Sequence, residues 1–312
     1  MVAPGGYAWW YLDALSDDGR QALVLIGFVG SVFSPFYYRA RRRNPGTDAY
    51  AHSALNVALY GGPARWAFTE YGRGAVSCRA NQLTLGGSQL RWNGQGLECL
   101  VNERCAPLPG GLRGLVRLEA PALTGLCVPL ARDGSHLWRP LAPHARVSVE
   151  FEQPRVRWQG SGYLDSNEGT GPLESAFSRW SWLRARGADS TTIIYDVQPC
   201  GAPRERHALR VSARGAVEPF SAPPPVPLPR SRWGIAQEAP ADPGCAPRLQ
   251  MRLEDAPFYS RSLVATRLCG EAVTAVHESL SLTRFHSPWV RCLLPFRMRR
   301  SSRWARTTDT NS

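Results

Sequence analysis

Short runs of alternating apolar and polar residues recur about every ten positions, with turn residues between them. This is the pattern of an all-β sandwich or barrel, in which each strand buries one of its two faces. Residues 146–152 show it most cleanly: Val147, Val149 and Phe151 share one side, and Arg146, Ser148, Glu150 and Glu152 the other. The same reading predicts strands over 7–15, 22–27, 33–42, 52–60, 65–71, 90–103, 155–165, 180–186 and 280–285, among others. So many strands predict two β domains in tandem. The polar break 166–172, S-N-E-G-T-G-P, is the natural junction between a first domain at 1–168 and a second at 173–300, followed by a basic flexible tail at 301–312.

Residues 21–38 depart from alternation, with no charge and with Arg39, Arg41, Arg42 and Arg43 behind them. The run barely reaches the length of a membrane span, and Pro35, two glycines and two serines interrupt it. Two strands joined near Gly30-Ser31 fit better than a span. The proline-rich stretch 221–229 is read as a stiff surface excursion of the second domain rather than a polyproline ligand.

Composition narrows the classes. The 29 glycines and 26 prolines are spread so evenly that long helical bundles and coiled coils are excluded, since both residues are costly inside helices. All 37 basic residues are arginine, against 25 acidic ones, for a net charge of +12. Such a charge suggests an acidic partner, yet the arginines are dispersed and no nucleic-acid-binding module is present. The eight cysteines form no C-x-x-C pair, and the N-terminus lacks a signal-peptide pattern, so free thiols in a reducing cytoplasm are expected. No nucleophile elbow, dinucleotide fingerprint or histidine pair with metal-ligand spacing occurs. Neither a cofactor nor a metal is expected.

What coheres is aromatic and acidic. Eleven tryptophans, among them Trp66, Trp180 and Trp182, are a heavy load for an all-β chain; core packing explains most of them, and a long apolar ligand or a cation formed on one would explain an excess lining a cavity. Two pairs at i, i+2, His136 with Trp138 and Tyr163 with Asp165, each project to one side of a strand. Counting back from Asp165, its parity is shared by Arg155, Arg157 and Gln159, which places it toward water unless Gly160-Ser161-Gly162 holds a bulge that resets the phase.

As a set, these residues resemble the carotenoid 1,2-hydratases, or hydroxyneurosporene synthases, of phototrophic bacteria. The resemblance lies in G-G-Y-A-W-W-Y-L-D-A-L-S-D-D-G from Gly5, H-S-A-L-N-V-A-L-Y-G from His52, H-L-W-R-P-L-A-P from His136, G-Y-L-D-S-N-E-G from Gly162 and H-E-S-L-S-L-T-R-F-H-S-P-W from His277. It implies two lipocalin-like β-barrel or sandwich domains. It also implies a cofactor-free lyase that adds water across the terminal C1=C2 bond of an acyclic carotenoid such as neurosporene or lycopene. On this chain the family's motifs fall on His136, Trp138, Tyr163 and Asp165. Asp165 is then the expected acid, Trp138 and Tyr163 the groups that stabilise a C1 cation, and His136 the group that orients or deprotonates water. Trp66, Trp180 and Trp182 are expected to bind substrate. An apolar substrate makes the arginines at 39–43 and 297–306 contacts to anionic headgroups, which predicts a cytoplasmic protein peripherally bound to the inner or photosynthetic membrane and no nucleic-acid partner. The competing expectation is a non-catalytic lipocalin-like carrier, marked by an exposed Asp165 far from His136.

Overall fold

The computed structural model of the chain describes residues 1–301. Its larger sheet has thirteen strands. From edge to edge its first seven are Arg299–Ser301, Arg65–Tyr71, Ser53–Tyr60, Ala22–Val29, Tyr7–Ser16, Val156–Gly169 and His136–Gln153. It continues through Gly111–Glu119, Gly96–Arg104, Ser88–Trp92, Gln82–Leu85 and Val76–Arg79, with Val128–Pro129 paired to the His136–Gln153 strand. Among the described residues, only the Arg299–Ser301 pairing is parallel. A seven-stranded sheet runs Val217–Pro219, Glu205–Ser212, Ser190–Pro199, Phe177–Arg186, Glu271–Ser281, Tyr259–Leu268, Arg248–Asp255. The architecture is all-β, as the alternation predicts, and the second sheet begins just after the 166–172 break.

Around Tyr7–Ser16, Ala22–Val29 and Ser53–Tyr60 both faces of the larger sheet are covered. Leu12, Leu23, Leu25, Leu55, Val57, Val147 and Val149 pack into one core inside the curl of the sheet. Tyr7, Trp9, Tyr11, Val24 and Phe28 point the other way, into a core shared with Trp180, Trp182, Tyr195 and Leu280 of the smaller sheet. The uncharged run at 22–29 is explained by this double cover: a strand buried on both sides has no polar face to show. No helix among the described residues is long and apolar enough to cross a membrane.

Three predicted elements are corrected. Residues 33–42 form the helix Pro35–Arg43, not a strand, because Ser34 accepts hydrogen bonds from the Phe36 and Tyr37 amides and Pro35 occupies the first helical position. Residues 280–285 are the end of the Glu271–Ser281 strand followed by the helix Leu282–His286, capped by the Ser281 hydroxyl. Residues 90–103 are two strands folded about Asn93, whose side chain accepts from the Gln95 and Gly96 amides. Inside the proline-rich excursion, Pro225–Leu228 pairs with Gln237–Pro240 as a two-stranded ribbon. Chain beyond Pro295 also carries structure, a 3₁₀ turn at Leu294–Phe296 and the Arg299–Ser301 strand, and the rest of the expected tail lies outside the described residues.

Two sheets with apolar inner faces are tied by buried charges. Arg261, fully buried on the smaller sheet, reaches Asp13 of the larger sheet and Glu278 beside it. Arg184 approaches the other Asp13 oxygen at 2.7 Å. Removing one partner of such a cluster leaves an uncompensated buried charge, which costs about 3–5 kcal/mol. Arg261→Leu is therefore expected to lose stability of that order in equilibrium denaturant unfolding, whereas Arg157→Leu, in an exposed pair with Glu150, should change it by well under about 1 kcal/mol.

Candidate active site

A cavity of about 170 Å³ lies between the sheets. Its floor follows from strand register, because residues paired across neighbouring antiparallel strands point to the same face. Asp165 pairs with Tyr11, Tyr11 with Ile26, Ile26 with Asn56 and Asn56 with Phe68, and all five line the cavity. The facing wall comes from a second such row, in which Trp182 pairs with both Tyr195 and Glu278. These three residues also line the cavity, with Trp9, Phe28, Asn167, Trp180, Phe258 and Tyr259.

Asp165 is 3 % exposed, although parity places it toward water. Parity itself holds: Arg157 and Gln159 on the same side are exposed. What changes is what lies outside that face, for beyond Ser161 the smaller sheet covers it. There is no phase reset on this flank, since pairing with the Tyr7–Ser16 strand is continuous from Gly160 to Gly169. The irregularity lies on the other flank, between Arg139 and Ala145. Gly160 serves close approach instead, for a Cβ there would sit 2.0 Å from the Leu15 carbonyl oxygen.

The two Asp165 oxygens differ. Oδ2 accepts from the Trp138 indole Nε1 at 2.9 Å and from the Tyr163 hydroxyl at 2.8 Å, while Oδ1, equally buried, meets no hydrogen-bond partner. Burial disfavours the charged form and pushes the Asp165 carboxyl up to about 7; the Tyr163 and Trp138 bonds oppose this, and the Glu278 and Asp13 carboxylates add to it. A carboxylic acid that holds its proton near neutral pH thus faces an apolar, aromatic chamber.

The other expected residues separate into two groups. Trp66, Trp180 and Trp182 line the cavity. His136, Trp138 and Tyr163 stand behind its wall. Trp138 and Tyr163 grip Asp165, and the Tyr163 ring meets Trp182 edge-on at 5.0 Å. His136 is 2 % exposed and is paired in register with Gly169, about 13 Å along the strand from Asp165. Its Nδ1 is hydrogen-bonded to the Tyr7 hydroxyl at 2.8 Å, and burial depresses its pKa, which favours the neutral ring. Tyr7 stacks on Trp9 at 4.9 Å, so His136 reaches the cavity through that stack. Sequence reasoning passed over Trp9, Tyr11, Asn167, Tyr195 and Glu278. The signal for Glu278 was its parity with Val276 and Leu280, which puts a charge among core residues of one strand face.

The family model for the carotenoid hydratase CrtC matches residues 25–307. The chain belongs to that family. It is 50 % identical to the acyclic carotenoid 1,2-hydratase of Thiocapsa roseopersicina, across 96 % of this chain and 74 % of the relative. It is 41 % identical to that of Cereibacter sphaeroides, across 90 % of this chain and 99 % of the relative. Among solved structures, kievitone hydratase from Nectria haematococca shares the fold, with a TM-score of 0.53 at 8 % identity over 89 % of each chain. The resemblance read from the motifs is thereby established, and the chain is a carotenoid hydratase, a hydro-lyase, rather than a carrier.

If the neutral acid at 165 is the active form, kcat/KM should be flat below pH about 7 and fall tenfold per pH unit above it. The Tyr163 hydroxyl favours the carboxylate, so Tyr163→Phe should raise the Asp165 pKa and carry the alkaline limb to higher pH. A limb that stays in place or moves down would contradict this assignment.

Proposed function

We propose that this hydratase works by protonating C2 of the terminal double bond of an acyclic carotenoid from Asp165, leaving a tertiary cation at C1 that water captures as the 1-hydroxy product. The observation that carries the reading is the asymmetry of Asp165. Both protein donors occupy Oδ2, so the proton resides on Oδ1, the oxygen that has no protein partner on a residue lining the cavity. The cation that follows lies among the rings of Tyr11, Trp180, Trp182 and Tyr195, whose π faces attract positive charge. In this reading Trp138 and Tyr163 aim the acid, and His136 fixes the Tyr7–Trp9 wall.

The cavity is smaller than the about 300–1,000 Å³ pockets that enclose drug-sized ligands, so only the end of a carotenoid enters and the polyene remains outside. The mouth suits a bilayer. Val290, Leu293, Leu294 and Met298 line the cavity where the Pro288–Leu293 helix passes it. The same segment exposes Trp289, Leu293 and Phe296 beside Trp233, with Arg284, Arg291 and Arg297 among them. Apolar and aromatic side chains with basic neighbours are the composition of an interfacial anchor.

Replacing Asp165 with asparagine should lower hydration of lycopene or neurosporene in detergent, without added cofactor, by at least the about 10²–10⁴-fold of a lost general acid, with circular dichroism unchanged. Turnover near the native rate in that variant would remove Asp165 as the acid. Vesicle co-sedimentation checks the mouth: binding should be stronger to anionic than to zwitterionic vesicles, weaken with salt, and fall in a Trp289→Ser, Phe296→Ser double variant. Equal binding by that variant would place the membrane contact elsewhere.

A further inference from the structure

A second carboxyl faces Asp165 across the cavity. Glu278 lies on the Glu271–Ser281 strand of the smaller sheet, in register with Trp182 on one side and Arg261 on the other. Its Oε1 accepts from the Tyr11 hydroxyl at 2.7 Å, from the Tyr259 hydroxyl at 2.7 Å and from Arg261 Nη1. Among the described residues no protein donor meets Oε2, and the residue lines the cavity. Each carboxyl therefore has one oxygen held and one free, but the holders differ in charge. Asp165 is held by neutral donors alone; Glu278 is held by a fully buried guanidinium. The cavity thus has a carboxyl with neutral partners on one sheet and a carboxyl with a guanidinium partner on the other.

The two also share an aromatic frame. Tyr11 pairs in register with Asp165 and donates to Glu278, and its ring meets Trp182 edge-on at 5.4 Å. An end group held against these rings has the acid on one sheet and the carboxylate on the other.

We infer that Glu278 is the general base of the hydration, taking a proton from the water that captures C1. This rests on Asp165 being the acid. The Asp165 proton and the alkene π electrons form the new C2–H bond; a water oxygen lone pair forms the C1–O bond; the resulting oxonium loses one proton to Glu278 Oε2. Glu278 then returns that proton to Asp165 through solvent, so alkene and water become alcohol with both carboxyls restored. The acceptor need not be strong, because the oxonium formed at C1 is itself a strong acid. His136, whose bond is to Tyr7, is too far along its strand to stand in for it.

The test separates protonation from capture. In deuterium oxide Asp165 delivers a deuteron to C2, and a cation that waits for water reverts by losing a proton or deuteron from C2 or a neighbouring carbon. Glu278→Gln should hydrate lycopene about 10²-fold or more slower than the native enzyme. The alkene recovered from it should carry deuterium that the native enzyme's recovered alkene largely lacks. Asp165→Asn should neither hydrate nor exchange; exchange in that variant would remove the acid assignment itself and leave the role of Glu278 to be judged on its own variant. Native hydration rates in folded Glu278→Gln, or loss of exchange together with hydration, would overturn the inference. Should glutamine at 278 prevent folding, Glu278→Asp keeps the charge beside Arg261 and withdraws the free oxygen by one methylene. It should show the same slow hydration with deuterium in the alkene, and native behaviour there would equally overturn the inference.

Discussion

Arg261 is the hinge of this architecture. A guanidinium with no exposed surface is tolerable only where anions surround it, and the anions come from both sheets: Asp13 from the larger, Glu278 from the smaller. Register fixes what sits around this cluster. Asp13 pairs with Tyr163 and with Val24, and Glu278 with Trp182, so locating the ion cluster also locates the aromatic rings on either side of it. The sheets cannot slide by one residue without turning these charges into apolar packing. That directional constraint is something the apolar contacts between the sheets do not supply by themselves.

The electrostatic arrangement has a cost that the chemistry uses. Burial beside the cavity, with a smaller contribution from the Asp13 and Glu278 carboxylates, keeps the nearby aspartic acid neutral. In the proposed reaction the aromatic lining offers ring faces to the transient cation.

Much of this was legible in the sequence. Period-two alternation identified the all-β class, and residues 146–152 behave as read, with Val147, Val149 and Phe151 in the core. The i, i+2 pair of Tyr163 and Asp165 was correctly seen as sharing a side. What alternation does not carry is the identity of the medium on each side. The face that holds Arg157 meets solvent, and eight residues on the same face meets the other sheet; only tertiary contact makes that difference. Local capping also escaped the periodicity at Ser34-Pro35 and at Ser281, where one hydroxyl turned an apolar run from strand to helix. Glu278 was missed for a related reason. A carboxylate at a core position reads as an error of parity until its partner, Arg261, is found on the next strand in space.

The short strand at Arg299–Ser301 has one further consequence. After both sheets are complete, the chain returns to the first and adds itself in parallel to the outer side of Arg65–Tyr71. That strand would otherwise end the sheet with a row of unpaired amides and carbonyls, open to another copy of the chain. Three residues are enough to cover part of it, and two of them are arginines whose charges discourage further strands from joining. The last described stretch of sheet therefore leaves less of this edge free for another copy of the chain to extend.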